Sequence, residues 1–184
     1  KMICENFGGI DILISNAGTA IGGPIAEVDD DILRQSFEDN FFSHQNCASE
    51  AIKIMKKQNI NGCLLFNISK QAVNPGNNMG AYGLPKATTM FLMRQLALEL
   101  GEFGIRVNGI NADRIRSGLL TDDFIKSRAS SRGVSEDIYM QGNLLKREVE
   151  ANHVALGFIA LAQMLRTTGH VLTVDGGNTA AELR

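Results

Sequence analysis

Tyr82 and Lys86 stand four residues apart in a stretch that reads as a helix. That spacing puts both side chains on one helical face, about 6 Å apart along the axis. An ammonium beside a phenol favours the phenolate. The pair therefore predicts a tyrosine tuned downward to give and take a proton near neutral pH. Ser69 closely follows an apolar, strand-like run, so its hydroxyl can face the same crevice and hydrogen-bond the oxygen of a carbonyl or an alcohol. Asn40 lies beside Phe41 and Phe42 in an earlier helix. If buried, its amide needs partners, and a water linked to Lys86 is one candidate. Each residue also has a plainer reading: a surface pair on a helix, a solvated loop serine, a packing asparagine.

The elements that must position these residues alternate. Residues 10–15 form an apolar run after Gly8-Gly9 and read as a buried parallel strand. Asn16-Ala17-Gly18 ends it. Asp29, Asp30 and Asp31 offer N-caps for a long helix to about Lys57, with a stripe through Leu33, Phe37, Phe41, Ala48, Ile52 and Met55. A second strand is expected over 63–66, a loop over 69–80, and a second long helix over 81–100, with Pro85 in or just inside its first turn. A third strand (105–110), a polar flap with short helices (111–142), a helix (150–165) and a last strand (170–174) follow. Strand–helix alternation of this kind argues an α/β fold with a parallel sheet covered on both faces. Ligands of such a sheet sit outside the carboxyl ends of its strands, where Asn16, Ser69 and Asn111 fall.

Composition narrows the field. The 184 residues are 44% apolar with a formal net charge of −2, so a globular core is expected and no basic excess invites nucleic acid. No apolar run is long enough to span a bilayer, and the start of the chain does not read as a signal peptide. Cys4, Cys47 and Cys63 lack metal-like spacing and read as small buried hydrophobes in a reducing, cytoplasmic setting. His44, His153 and His170 are scattered, so no metal site is expected.

Five strings occur in order along the chain. They are Asp11 to Gly18 (DILISNAG), Phe66 to Ser69 (FNIS), Tyr82 to Lys86 (YGLPK), Arg106 to Asn111 (RVNGIN) and Thr168 to Gly177 (TGHVLTVDGG). Together they resemble the short-chain dehydrogenase/reductase family over nearly the whole chain. The resemblance implies a Rossmann-like, doubly wound parallel sheet truncated at the N-terminus, with family strands 4 to 7 present. Residues 1–184 would be the C-terminal part of a single domain, since the family's glycine-rich pyrophosphate loop belongs upstream of Lys1. It implies Tyr82 as general acid/base, Ser69 orienting the reacting oxygen, Lys86 lowering the Tyr82 pKa and holding the nicotinamide ribose, and Asn40 completing a relay through water. Asn16, Ala17, Gly18, Ile115 and Ser117 would line the cofactor, NAD with NADP not excluded. Ser15 replaces the first Asn of the family's Asn-Asn-Ala-Gly, and Ala112-Asp113 replaces its usual Pro-Gly.

Residues 69–76, 82–87 and 111–122 further resemble the dehydrogenase part of bifunctional rhamnulose-1-phosphate aldolase/short-chain dehydrogenases. That implies oxidation of lactaldehyde to lactate. Lys70, Arg114 and Arg116 are expected near the crevice, to meet an anionic substrate or product carboxylate, or else to be solvated or ion-paired surface charges. The two long helices would pack against their copies in a homo-oligomer, with Phe41, Phe42, Phe91 and Met93 in core or interface. Two other classes compete: an inactive scaffolding or dinucleotide-sensing module, and a Ser-Lys hydrolase using Ser69. The tetrad argues against the first; the absence of a Gly-x-Ser-x-Gly elbow argues against the second.

Overall fold

The computed structural model describes residues 2–178; Lys1 and residues 179–184, which the single-domain expectation also spans, lie outside the described residues. Four strands, β1 (Ile12–Ser15), β2 (Cys63–Asn67), β3 (Arg106–Ala112) and β4 (Val171–Val174), pair in parallel in sequential order. Ile12 lies opposite Cys63, Cys63 opposite Arg106, and Gly109 opposite Val171. Each crossover carries a helix, as parallel pairing requires. The helices are α1 (Met2–Phe7), α2 (Asp30–Phe37), α3 (Ser43–Gln58), α4 (Lys70–Val73), α5 (Gly80–Leu100), α6 (Asp122–Ser130), α7 (Glu136–Met140) and α8 (Ala151–Gln163).

The pleat sorts β2 between two cores. Leu64 and Phe66 pack with Ala48, Ala51 and Met55 of α3 and Met90, Met93 and Ala97 of α5 on one face. Cys63 and Leu65 pack with Val154, Phe158 and Leu161 of α8 on the other. Burial on both faces is why this strand reads as an unbroken apolar run. Arg106, at the start of β3, closes the far end of α8: its guanidinium donates to the carbonyls of Leu161, Ala162 and Met164, which the helix leaves unpaired.

Three expectations change. The first long helix is interrupted by a π turn, Glu38–Phe42, between α2 and α3. The loop after β2 contains α4, capped by the Ser69 hydroxyl, which accepts from the Gln71 N–H at 3.2 Å. Cys47 is exposed, so only Cys63 of the three cysteines behaves as a buried hydrophobe. Of the aromatic and methionine candidates, Met93 is core, whereas Phe42 and Phe91 are exposed.

Gly157 lets α8 settle on the sheet. A Cβ there would lie 2.7 Å from Ile110 Cδ1 and 3.1 Å from Val174 Cγ2. Gly157→Val is expected to destabilise the fold by about 1–3 kcal/mol through overpacking, read as a lower urea midpoint with unchanged slope. An unchanged midpoint would mean that α8 is free to lift away.

Candidate active site

The site is assembled at the carboxyl ends of β1, β2 and β3. Ser69 follows β2, and its hydroxyl hydrogen-bonds the Tyr82 phenol on the first turn of α5. One turn later Lys86 donates from Nζ to the carbonyl of Asn67 at 3.0 Å. Asn67 in turn donates from Nδ2 to Asn16 Oδ1 at 2.7 Å, tying the loop after β1 to the end of β2. The Lys86 ammonium is 5.9 Å from the centre of the Tyr82 ring. The structure thus brings together the four residues singled out for catalysis, all of them buried.

Asn40 reaches the group through the π turn. The wider turn sends the Ser43 N–H to the carbonyl of Glu38, and the Ser43 hydroxyl takes the carbonyl of Asp39 at 2.7 Å. π turns of this kind recur at functional sites. The buried Asn40 amide has protein partners. Its Nδ2 donates to the Ser36 carbonyl at 3.0 Å and hydroxyl at 3.3 Å, and its Oδ1 accepts from the Thr19 N–H at 3.2 Å. The Asn40 carbonyl accepts from the Thr89 hydroxyl at 2.7 Å. Ser36 also donates to the carbonyl of Ala81 at 2.8 Å. Pro85 has no N–H to give that carbonyl along the helix, so Ser36 supplies what the proline removes.

The electrostatics differ from the sequence-based expectation. Burial pushes the Tyr82 phenol above its ordinary pKa, with the Asp113 carboxylate adding to the rise; the Ser69 hydrogen bond only partly opposes it. Lys86 does not pull the phenol down, because its own ammonium is directed at Asn67 and burial lowers its pKa to about 8. Tyr82 is therefore a protonated donor at neutral pH in this state of the protein, and Lys86 still carries its charge there.

Ser15, the departure from the family's asparagine, has a partner that sequence reasoning missed. Its hydroxyl meets His44 Nδ1 at 2.5 Å, with both side chains buried. The His44 ring stands edge-on to Phe66 at 6.3 Å between centroids. Burial first, and the Lys86 charge second, lower the His44 pKa to about 4, so the imidazole is neutral and one hydrogen bond suffices for Nδ1. Ser36 and Thr89 were also missed. The available signal was spacing: Ser36 is four residues before Asn40, and Thr89 is three after Lys86 on the same helical face.

Ser69 and Tyr82 open onto a cavity of about 670 Å³. Asn16, Ala17, Gly18, Ile115 and Ser117 line it, as do Lys70 and Arg114. Arg116 does not: it is exposed and paired at 2.7 Å with both Glu148 and Asp122. The Ser117 hydroxyl is engaged in its own turn, accepting from the N–H groups of Leu119 and Leu120. Arg114 has a left-handed backbone with φ 54°, uncommon for a non-glycine residue. Its guanidinium locks that conformation by reaching the Tyr139 carbonyl at 2.5 Å. The nicotinamide end of a dinucleotide fits this floor. At Gly18 a Cβ would come within 2.6 Å of Asn40 Oδ1 and 3.5 Å of Lys86 Nζ, so glycine lets the loop after β1 close against those two side chains. Among the described residues no group of His, Cys, Asp and Glu could hold a metal ion, and no helix is long and apolar enough to cross a membrane.

A doubly wound parallel sheet with a Ser–Tyr–Lys group at the carboxyl ends of its strands defines a dinucleotide-type α/β domain. A family model described as enoyl-(acyl carrier protein) reductase matches residues 1–179. The chain belongs to the short-chain dehydrogenase/reductase family. The uncharacterized oxidoreductase YuxG of Bacillus subtilis is 34% identical over 186 residues, covering 97% of this chain and 27% of that protein. Carveol dehydrogenase from Mycobacterium avium in complex with NAD matches with a TM-score of 0.89 at 21% identity, covering 96% of this chain and 67% of that one. ElxO with NADP bound matches with a TM-score of 0.84 at 25% identity, covering 97% and 71%. The chain therefore spans about a quarter of the length of YuxG and about two thirds of the solved structures.

Two measurements check this geometry. His44 titrates near 6.5 when unfolded and near 4 when folded. As pH falls the unfolded chain takes up the proton first. Stability is thus full above about pH 6.5 and is lost toward about pH 4, by on the order of 3 kcal/mol. His44→Leu is expected to flatten that loss in urea titrations at about pH 7.5 and about pH 5; an unchanged acid slope would place the sensitivity elsewhere. Ser36→Ala leaves the Ala81 carbonyl and the Asn40 amide short of a partner. A loss of about 1–3 kcal/mol is expected, and a neutral effect on the melting temperature would mean that water replaces the hydroxyl.

Proposed function

We propose that this chain contributes the catalytic residues of an NAD-dependent oxidoreductase, NADP being the alternative cofactor, acting on a small aldehyde or alcohol. The observation that carries the reading is the hydrogen-bonded Ser69–Tyr82 pair, with Lys86 buried behind it, opening into one cavity with the Asn16–Gly18 loop. The neighbours that hold NAD and NADP support the cofactor assignment. A bound nicotinamide accepts or supplies the hydride; the chain's own residues orient the substrate and move the proton. Ser69 holds the reacting oxygen against Tyr82. With its pKa raised, the Tyr82 phenol is poised to donate its proton to a carbonyl oxygen as the carbonyl is reduced. In the opposite direction its phenolate takes the hydroxyl proton of an alcohol or of an aldehyde hydrate. The positive ring of an oxidised nicotinamide would favour that phenolate.

The narrower reading is oxidation of lactaldehyde, as its hydrate, to lactate in rhamnose catabolism, within a bifunctional aldolase/dehydrogenase. Its support is the three strings at 69–76, 82–87 and 111–122, together with similarity to YuxG, a protein several times the length of this chain. Homo-oligomerisation through the α2–α3 segment, with its π turn, and α5 is part of the proposal. The exposed Phe42, Phe91 and Leu98 support it, as does the cost of leaving such side chains in water. A cytoplasmic location belongs to the same reading, with three free cysteines in its favour.

Tyr82→Phe in the full-length protein is expected to lower kcat by about 100- to 10,000-fold, with the affinity for NAD, measured by fluorescence titration, nearly unchanged. Turnover that survives the substitution would remove Tyr82 from the proton path.

A further inference from the structure

The far wall of the catalytic cavity is cationic. Lys70, Arg114, Arg128 and Arg132 line it against the single carboxylate of Asp113, although the chain as a whole is negative, at −2. Three of the four, Arg114, Arg128 and Arg132, arrive with the flap. Arg128 is on α6 and Arg132 lies just beyond it, and neither was singled out by its sequence context. The flap is fixed in place by these same side chains. Arg128 donates to the Asn77 carbonyl at 3.1 Å, Arg132 to the Arg128 carbonyl at 3.2 Å, and Arg114 and Arg132 flank the Tyr139 ring at 4.6 and 5.2 Å.

These contacts leave most guanidinium donors over, since each guanidinium has five. Asp113 is already shared, at 3.4 Å from Arg114 Nε and in a hydrogen bond from Asn178. Among the described residues Lys70, Arg128 and Arg132 have no carboxylate partner. The like charges also feel one another. Lys70 is held below its ordinary pKa chiefly by burial, and then by the opposing pulls of Asp113 and the three arginines. Arg132 is lowered by burial, Arg128 and Arg114. Four like charges gathered against a single carboxylate are an unfavourable arrangement that an anion would relieve.

We infer that this wall is a carboxylate subsite, so that the molecule turned over at Ser69 and Tyr82 carries or acquires a carboxylate held by Lys70, Arg128 and Arg132. A planar carboxylate suits guanidinium donors. Lys70 directly follows Ser69, so the wall begins beside the reacting oxygen. The inference rests on the oxidoreductase reading for the reaction but not for the binding. Two sources supply the same chemistry: the acid formed when an aldehyde hydrate is oxidised, or an acid group on the far arm of the substrate.

The test reads binding apart from turnover. The full-length protein is titrated calorimetrically with acetate, with chloride and with inorganic phosphate at matched ionic strength. Acetate is expected to bind at least about tenfold more tightly than chloride, and Lys70→Gln and Arg132→Gln are each expected to weaken it by about tenfold. Melting curves like those of the parent would establish that both variants fold. Should one of them fail to fold, the other, together with competition between acetate and chloride on the parent, decides. Acetate no tighter than chloride, acetate binding untouched by the substitutions, phosphate preferred to acetate, or substitutions that weaken NAD instead would each overturn the inference. Turnover then separates the sources. A kcat/KM for 4-hydroxypentanoate well above that for 2-pentanol assigns the far arm. Competitive inhibition by lactate without that preference assigns the acid product. Acetate binding lost in the variants, with no alcohol or aldehyde oxidised by the parent, would leave the subsite standing and remove the oxidoreductase reading.

Discussion

The buried polar seam between α5 and the helical segment before it is the constraint on which the site depends. α5 carries Tyr82 and Lys86, and its first turns contain Pro85, which cannot complete the backbone ladder. A buried carbonyl left unpaired costs about 1–3 kcal/mol. Ser36 meets the Ala81 carbonyl, Asn40 meets Ser36, Thr19 meets Asn40, and Thr89 meets Asn40 from α5 itself. All of these bonds but the one between Asn40 and Ser36 cross between elements distant in sequence. The catalytic turn is therefore held by satisfying donors and acceptors and not by apolar contact alone, and the π turn is the local irregularity that lets Asn40 face it.

Burial sets the protonation of the site in one direction for every titratable group near its centre. It raises Tyr82, lowers Lys86 to about 8 and lowers His44 to about 4. In each case the charged form is disfavoured, as expected where water is excluded. The Tyr82–Lys86 pair is consequently a neutral acid beside a weakened cation, and an incoming positive nicotinamide would have a larger influence on the phenol than it would in an already ionised site. The Ser15–His44 pair follows the same rule. A neutral imidazole can sit behind the lysine at the cost of one hydrogen bond, and His44 Nε2 is left without a partner.

The cavity shows a division of labour between strand ends and flap. The loops after β1, β2 and β3 bring Asn16, Gly18, Ser69, Asp113 and Arg114 to its wall. α6, the turn after it and α7 supply Arg128, Arg132 and Tyr139, tied to the loop after β3 through Arg114 and to the loop before α5 through Arg128. Residues of the strand-end loops and residues of the flap thus line a single cavity.

Much was legible in the linear order of residues. Alternation of apolar runs with helical stripes implies parallel strands joined by helices, since a parallel pair needs a crossover. The Tyr82–Lys86 spacing places both on one helical face wherever the helix goes. Positions at strand ends are also local, so Asn16 and Ser69 could be assigned to one crevice before any contact was known. The tertiary structure alone decided whatever depends on through-space distance and exclusion of water. It turned the Tyr82 pKa upward, satisfied Asn40 with Ser36 and Thr19, joined Ser15 to His44, and drew Arg128 and Arg132 into the cavity while leaving Arg116 in an exposed ion pair. Sequence spacing carries periodicity and therefore faces and ends; it carries neither desolvation nor the meeting of side chains from separate elements, and those are what set charge and partnership in a buried site.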